Sequence, residues 1–280
     1  MGKKLGIVSV SIPVATDCYN VDHATVIARG VSYTDKQLDS LIAGPVKEIL
    51  RDTAGKFELD SLLASIATTD FEQQGVKELL GDSVSQEDWL VGEALAEAYV
   101  VYEGKCTFPW PSSRDLKNPA GSPPGADLTG FQELDCAELP YRFAFGEVKT
   151  SDEEKWPPQV MYGRSTGLKK QLEDLRNSRP TKHALVRYLG FHALNASWFD
   201  MFKSAVKRYL QSGTEDIAIF GVMVRDVEPK ELDLAHRAVA MADDCPATTS
   251  IRLYALYLPL KSIKTLASKV LAAVGTGGTA

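Results

Sequence analysis

Asp127, Glu147 and Lys149 are the residues of this 280-residue chain whose types and spacing could do chemistry together. Glu147 and Lys149 sit near the end of Y-R-F-A-F-G-E-V-K-T (141–150), which reads as a strand. Side chains alternate faces along a strand, so Glu147 and Lys149 point the same way while Val148 turns into the core. Asp127 lies in G-A-D-L-T-G-F, near the start of the preceding candidate strand. A hairpin-like connection between the two strands would bring Asp127 beside the pair, putting two carboxylates and one ammonium on a single sheet face. Adjacent carboxylates repel unless a cation lies between them. A hard divalent ion, Mg²⁺ or Mn²⁺, takes oxygen ligands and keeps some of its waters. Such an ion acidifies its water and neutralises charge on a phosphate, and a neighbouring lysine can orient or deprotonate that water. The set is a minimal kit for metal-dependent phosphodiester hydrolysis. The same residues also read as a cross-strand ion pair on a solvated face, with Asp127 in a turn. Phe143, Phe145 and Val148 put Glu147 and Lys149 at the margin of a buried strand, which favours the chemical reading.

The elements that would position these groups begin with S-Q-E-D-W-L-V-G-E-A-L-A-E-A-Y. Ser85 with Asp88 three residues later resembles a capping box, and Trp89, Leu90, Ala94, Leu95, Ala98 and Val101 follow helical spacing. Glu93 and Glu97 share one face of that helix, either as a solvated acidic face or with Glu93 reaching the Asp127 site. A polar connection rich in proline leads from Thr107 to Asp127. Arg114 and Lys117 on it could touch phosphate, and Trp110 could stack on a base or pack down. After Lys149, Ser165 or Thr166 would cap a helix beginning G-L-K-K-Q-L, which carries Gln171.

Asp127 followed by Glu147-Val148-Lys149 resembles the core motif of the PD-(D/E)XK nuclease superfamily. Gly125-Ala126 stand where that family often has a proline. W-L-V-G-E-A-L-A-E-A-Y resembles the family's leading helix, with Glu93 at the position of a carboxylate that often joins the metal site. More narrowly, G-E-A-L-A-E, G-A-D-L-T-G and F-G-E-V-K-T resemble the nuclease subunits (HamA type) of the bacterial Hachiman antiphage system. The superfamily likeness spans roughly residues 86–180. It implies a restriction-endonuclease-like α/β core, a mixed sheet with flanking helices, and Mg²⁺- or Mn²⁺-dependent cleavage of DNA. Asp127 and Glu147 would bind metal, with the Val148 carbonyl as a third ligand and Glu93 as a further carboxylate. Lys149 would position or activate the attacking water, and Gln171 would touch phosphate or water. The narrower likeness implies a helicase subunit as partner and a role in defence against phage. Two alternatives stay open. One is a binding or assembly subunit that keeps the fold and cleaves nothing. The other is a hydrolase of small phosphoesters.

Composition sets limits. Hydrophobic residues make up 44% of the chain, ample for a sizeable core. The net charge of −6 does not advertise nucleic-acid binding, which usually shows a basic face, so a local basic patch, the metal or a partner must supply grip. Cys18, Cys106, Cys136 and Cys245 are scattered without a C-x-x-C, pointing to reduced thiols in a cytoplasmic protein rather than to zinc. No run of apolar residues is long enough to span a membrane, so no membrane association is expected. No G-x-G-x-x-G or Walker motif is present.

The remaining pattern predicts a smaller N-terminal α+β region over 1–84, a candidate partner-binding unit, followed by the nuclease-like domain over 85–280. Within the first, strands are expected over 4–14 and 21–33, a helix over 35–42 with Thr34 as N-cap, and short helices over 60–67 and 75–80. Within the second, one or two helices are expected over 181–209 and a buried strand over 216–224. A helix over 228–242 with Pro229 in its first turn, a strand over 251–258 and a helix over 262–274 complete the pattern.

Overall fold

The computed structural model describes residues 12–81, 87–115 and 125–275. The expected strand over 4–14 lies mostly outside them, and 12–15 carry no regular structure. Strands β1 (Thr16–His23) and β2 (Val26–Ser32) form an antiparallel hairpin. The single strand expected over 21–33 is therefore corrected: Ala24, at φ 48°, turns the chain in the middle of it. The apolar pattern continues through that turn, so periodicity alone does not reveal the break.

Helix α1 (Asp35–Leu41) starts at Thr34, the N-cap the sequence predicts, which also forms a capping box with Gln37. Gly44 takes non-helical angles beside Pro45 and kinks the chain into α2 (Lys47–Arg51). Asp52, at φ 45°, ends α2, and its side chain caps α3 (Thr53–Ala64) through the Gly55 N–H. Thr69 and Glu72 box the start of α4 (Asp70–Leu79). Both helices begin earlier than expected because these caps, rather than the first leucines, set their starts.

Helix α5 (Asp88–Gly104) follows; Ser85, the expected cap, lies outside the described residues. Next come β3 (Cys106–Thr107), β4 (Leu128–Glu133) and β5 (Tyr141–Ser151). Helix α6 (Leu168–Asn177) begins at Gly167 without a side-chain cap, which corrects the roles proposed for Ser165 and Thr166. Helices α7 (Arg179–Ala193) and α8 (Phe199–Gln211) fill the expected 181–209 region. Strand β6 (Ile217–Arg225) leads to α9 (Ala235–Ala242), β7 (Ser250–Tyr257) and α10 (Leu266–Gly275). Helix α9 is shorter than the expected 228–242. The Tyr257 hydroxyl holds both the N–H and the carbonyl of Lys230, and this takes the segment's backbone out of helical pairing.

One seven-stranded mixed sheet runs in the order β1-β2-β7-β6-β5-β4-β3. The four central strands, β2, β7, β6 and β5, are parallel, and the edges are antiparallel. The region 1–84 set apart above thus contributes β1 and β2 to the same sheet as the rest. Every residue of β6 is buried, as a central parallel strand covered on both faces requires. Phe143, Phe145, Ile219 and Met223 pack on one face with residues of α6–α9. Ala144, Val148, Phe220 and Val222 pack on the other with α1, α5 and α10. No helix of the described residues is long and apolar enough to cross a membrane, and all four cysteines are free thiols.

Candidate active-site cleft

Strand lengths create the cleft. The β4–β5 ladder closes at Leu128↔Gly146, while β5 runs on to Ser151. Residues 147–151 therefore expose a strand edge where β4 has not yet begun. One step beyond the last pair, antiparallel register sets Asp127 opposite Glu147, with both side chains on the same face. The Asp127 Oδ2 accepts the Val148 N–H at 2.7 Å, filling the first open position of that edge. A residue's N–H and C=O point the same way in a strand, so the Val148 carbonyl also faces this edge. The Val148 side chain packs into the opposite core, as its place between Glu147 and Lys149 requires.

Glu147 is only 4% exposed, and its Oε2 has no hydrogen-bond partner. The Lys149 Nζ lies 3.8 Å from that oxygen, close enough for attraction and too far for a hydrogen bond. Asp127 and Glu147 stand close enough for each carboxyl to bear on the other. Burial first, and for Glu147 the Asp127 charge next, hold this pair above the ordinary carboxyl range, so the pair binds a proton more tightly than free carboxyls do.

Glu93 approaches from α5, on the other side of the sheet. Burial, then the Asp127 charge, push it up to about 8, against which the Lys149 ammonium acts. Gly92 permits this approach. A Cβ there would meet Thr150 Oγ1 at 2.0 Å, its Cβ at 3.2 Å and its Cγ2 at 3.4 Å, so the helix backbone rests directly on β5. Alanine in an exposed helix usually gains up to about 1 kcal/mol over glycine. Here Gly92→Ala is expected to lose about 1–3 kcal/mol in urea unfolding through overpacking, and Thr150→Ala in the same chain to recover most of it. A Gly92→Ala protein as stable as the parent would show that α5 does not rest on Thr150.

The cleft, about 370 Å³, is lined by Trp89 and Glu93 of α5, Gly125 and Asp127, Val148, Lys149 and Thr150 of β5, Thr166 just before α6 and Gln171 on it. The Gln171 Oε1 is buried without a partner. The structure thus brings together Asp127, Glu147, Lys149, Val148, Glu93 and Gln171. Arg114 stands apart. Its guanidinium binds Asp52 through two bonds of 2.6 and 2.8 Å and lies over the Trp110 ring. Trp110 also packs on His192 and donates to Asp115, so neither Arg114 nor Trp110 is free for a phosphate or a base. Lys117 lies outside the described residues.

A second cavity of about 60 Å³ adjoins Asp127 on the side of Glu97, Phe108 and Tyr188. Burial and then Asp52 raise Glu97 to about 7. The sequence marks Glu97 only as the helical neighbour of Glu93. Trp89, Thr150 and Thr166 carry no sequence signal for the cleft, because their place depends on how α5 and α6 dock.

Among the described residues no three His, Cys, Asp or Glu side chains are arranged as a ready-made metal cage. A hard divalent ion of the Mg²⁺ type does not need one, since it binds through one or two carboxylates and keeps waters for the substrate side. The donor set fits such an ion: two neighbouring carboxyls, one of them Glu147 with a buried unpartnered oxygen, and a strand-edge carbonyl. The chain matches no protein-family model, and a search among curated proteins finds no relative.

Proposed function

We propose that this protein is a metal-dependent nuclease that hydrolyses phosphodiester bonds in DNA and acts as the effector subunit of an antiphage complex with a helicase partner. The observation that carries the reading is the Asp127–Glu147 carboxyl pair, with the Lys149 ammonium 3.8 Å from Glu147, at a strand edge open to a cleft. The order of α5, the Asp127 turn before β4, the E-V-K strand and α6 supports a restriction-endonuclease-like core.

When bound, Mg²⁺ or Mn²⁺ would supply Lewis acidity, which acidifies water and neutralises charge on the scissile phosphate. Asp127, Glu147 and the Val148 carbonyl would hold it, with Glu93 contributing from the α5 side. Lys149 orients the attacking water and meets the charge that grows on the phosphate oxygens. Gln171, its buried carbonyl oxygen unpartnered at the cleft wall, accepts a hydrogen bond from water. The test is conversion of supercoiled plasmid to nicked or linear forms with Mg²⁺, with and without the helicase partner. Cleavage that needs no divalent ion, or none under any condition, overturns the reading; the second result favours an assembly subunit.

A second test reads binding rather than activity. Glu93 stands at about 8 against an ordinary 4.5, and the Asp127–Glu147 pair is raised as well. Groups raised on folding give stability that is full below pH 4.5 and lost as pH rises, for Glu93 through about 8. A divalent ion replaces those protons, so its stabilisation grows with pH. Mg²⁺ at ten times its dissociation constant is expected to add about 1.4 kcal/mol at pH 9 and clearly less at pH 6. In Glu147→Gln the Mg²⁺ response should vanish and the alkaline loss of stability should flatten. An equal Mg²⁺ response at both pH values would contradict this.

A further inference from the structure

Two apolar surfaces of this chain have no cover among the described residues, and their charges are opposite. The first is carried by α3 and α4, neither of which buries a residue. Leu59, Leu62 and Ile66 follow one stripe along α3 and the turn after it, with Ile66 65% exposed. On α4, Phe71 is 88% exposed. The two helices carry five carboxylates (Glu58, Asp60, Asp70, Glu72, Glu78) and two ammoniums (Lys56, Lys77).

The second surface is a groove of about 430 Å³ between α7 and α8, with Val186, Phe191, Leu194, Phe202, Val206 and Leu210 in its lining. Phe191 is 69% and Leu210 68% exposed. Arg179, Arg187, Lys203 and Lys207 are exposed on the same two helices, where Asp200, paired with Lys203, is the one carboxylate. Arg187 lines the groove itself, and on a chain of net charge −6 the two helices that frame this apolar floor are locally cationic.

We propose that α3–α4 of one copy of this protein docks in the α7–α8 groove of a second copy. An apolar stripe on two acidic helices meets an apolar groove between two cationic ones, so burial and charge favour the same pairing. The lengths agree: twelve residues of α3 span about 18 Å and fifteen of α7 about 22 Å. A nucleic-acid backbone would use the cations and leave the floor wet, whereas an acidic helix with a leucine stripe answers both. Because ridge and groove are different surfaces, the contact is head-to-tail and leaves one of each free for further copies. The proposal does not depend on the nuclease reading, and Lys149→Ala protein should assemble like the parent.

The test is sedimentation velocity on the full chain from about 1 to 100 µM. The average mass should rise with concentration beyond that of a dimer. Ile66→Glu on the ridge and Leu210→Glu in the groove should each raise the dissociation constant by about 30-fold or more, with melting unchanged because both side chains are exposed. Arg187→Glu should weaken association in the same direction without touching the apolar floor. An equimolar mixture of the ridge and groove variants should associate again and stop at two chains, since each keeps one intact surface. A parent that stays monomeric throughout, or a mixture that fails to pair, overturns the proposal. So does a monomeric parent whose affinity for DNA falls with Leu210→Glu, which would make the groove a nucleic-acid track.

Discussion

Replacing Lys149 or Glu147 by alanine is expected to lower Mg²⁺-dependent DNA cleavage by about 10³-fold or more while the protein still folds and still binds its partner. The size of the effect follows from position. Lys149 is the cation beside the Asp127–Glu147 pair, 3.8 Å from the unpartnered Glu147 oxygen, and it lines the cleft. Folding should survive because burial holds both carboxyls above their ordinary range, which favours their neutral forms without the ammonium. Lys149→Arg separates two roles, since arginine keeps the charge but cannot give up its proton. If Lys149 only meets charge on the phosphate, Lys149→Arg retains part of the rate; if it takes the proton from water, Lys149→Arg is as inactive as Lys149→Ala. Unchanged cleavage in both alanine variants would remove these residues from the mechanism.

The largest stability effect is expected at Arg225, the last residue of β6 and fully buried. Its Nη2 donates to the carbonyls of Glu153 and Lys155 at 2.8 and 3.0 Å. These belong to the loop directly after the Lys149 strand. Its Nε lies 3.8 Å from Asp233 Oδ2, which also accepts the Tyr257 hydroxyl at 2.7 Å. Asp233 is 1% exposed, and burial holds its carboxyl above the usual range. Arg225→Met leaves that acid and two loop carbonyls without their cation. Breaking such a buried pair from one side costs about 3–5 kcal/mol, measurable in urea unfolding, and about 10 °C in Tm for a chain of this size. Adding Asp233→Leu to Arg225→Met should recover much of the loss, because the orphaned acid goes with it. A loss below about 1 kcal/mol in the single variant would mean the cluster is not a load on the fold. Cleavage should fall as well, since the loop leaving β5 loses its anchor.

Arg225 also marks where sequence reading stops. Nothing in I-A-I-F-G-V-M-V-R separates a buried terminal arginine from a solvated one, because its partners are backbone carbonyls more than 60 positions away. Arg114 shows the same limit: a loop cation near the site looks available for phosphate until its bidentate bond to Asp52 is seen. The hairpin at Ala24 and the short α9 escape the sequence for a related reason, a local pattern overridden by a turn or by a hydroxyl from β7.

What the sequence alone determined is whatever alternation and spacing can express. The face shared by Glu147 and Lys149, the inward turn of Val148, the buried β6 and the Thr34 cap are set by neighbours within a few residues, so they are legible in a string. The tertiary structure decided the rest. It made Asp127 and Glu147 opposite numbers by ending β4 at Leu128, and it let Glu93 reach the strand edge by resting Gly92 on Thr150. It also committed Arg114 elsewhere. Those outcomes depend on register and docking between segments distant in the chain, where the physics is that of contact and burial rather than of periodicity.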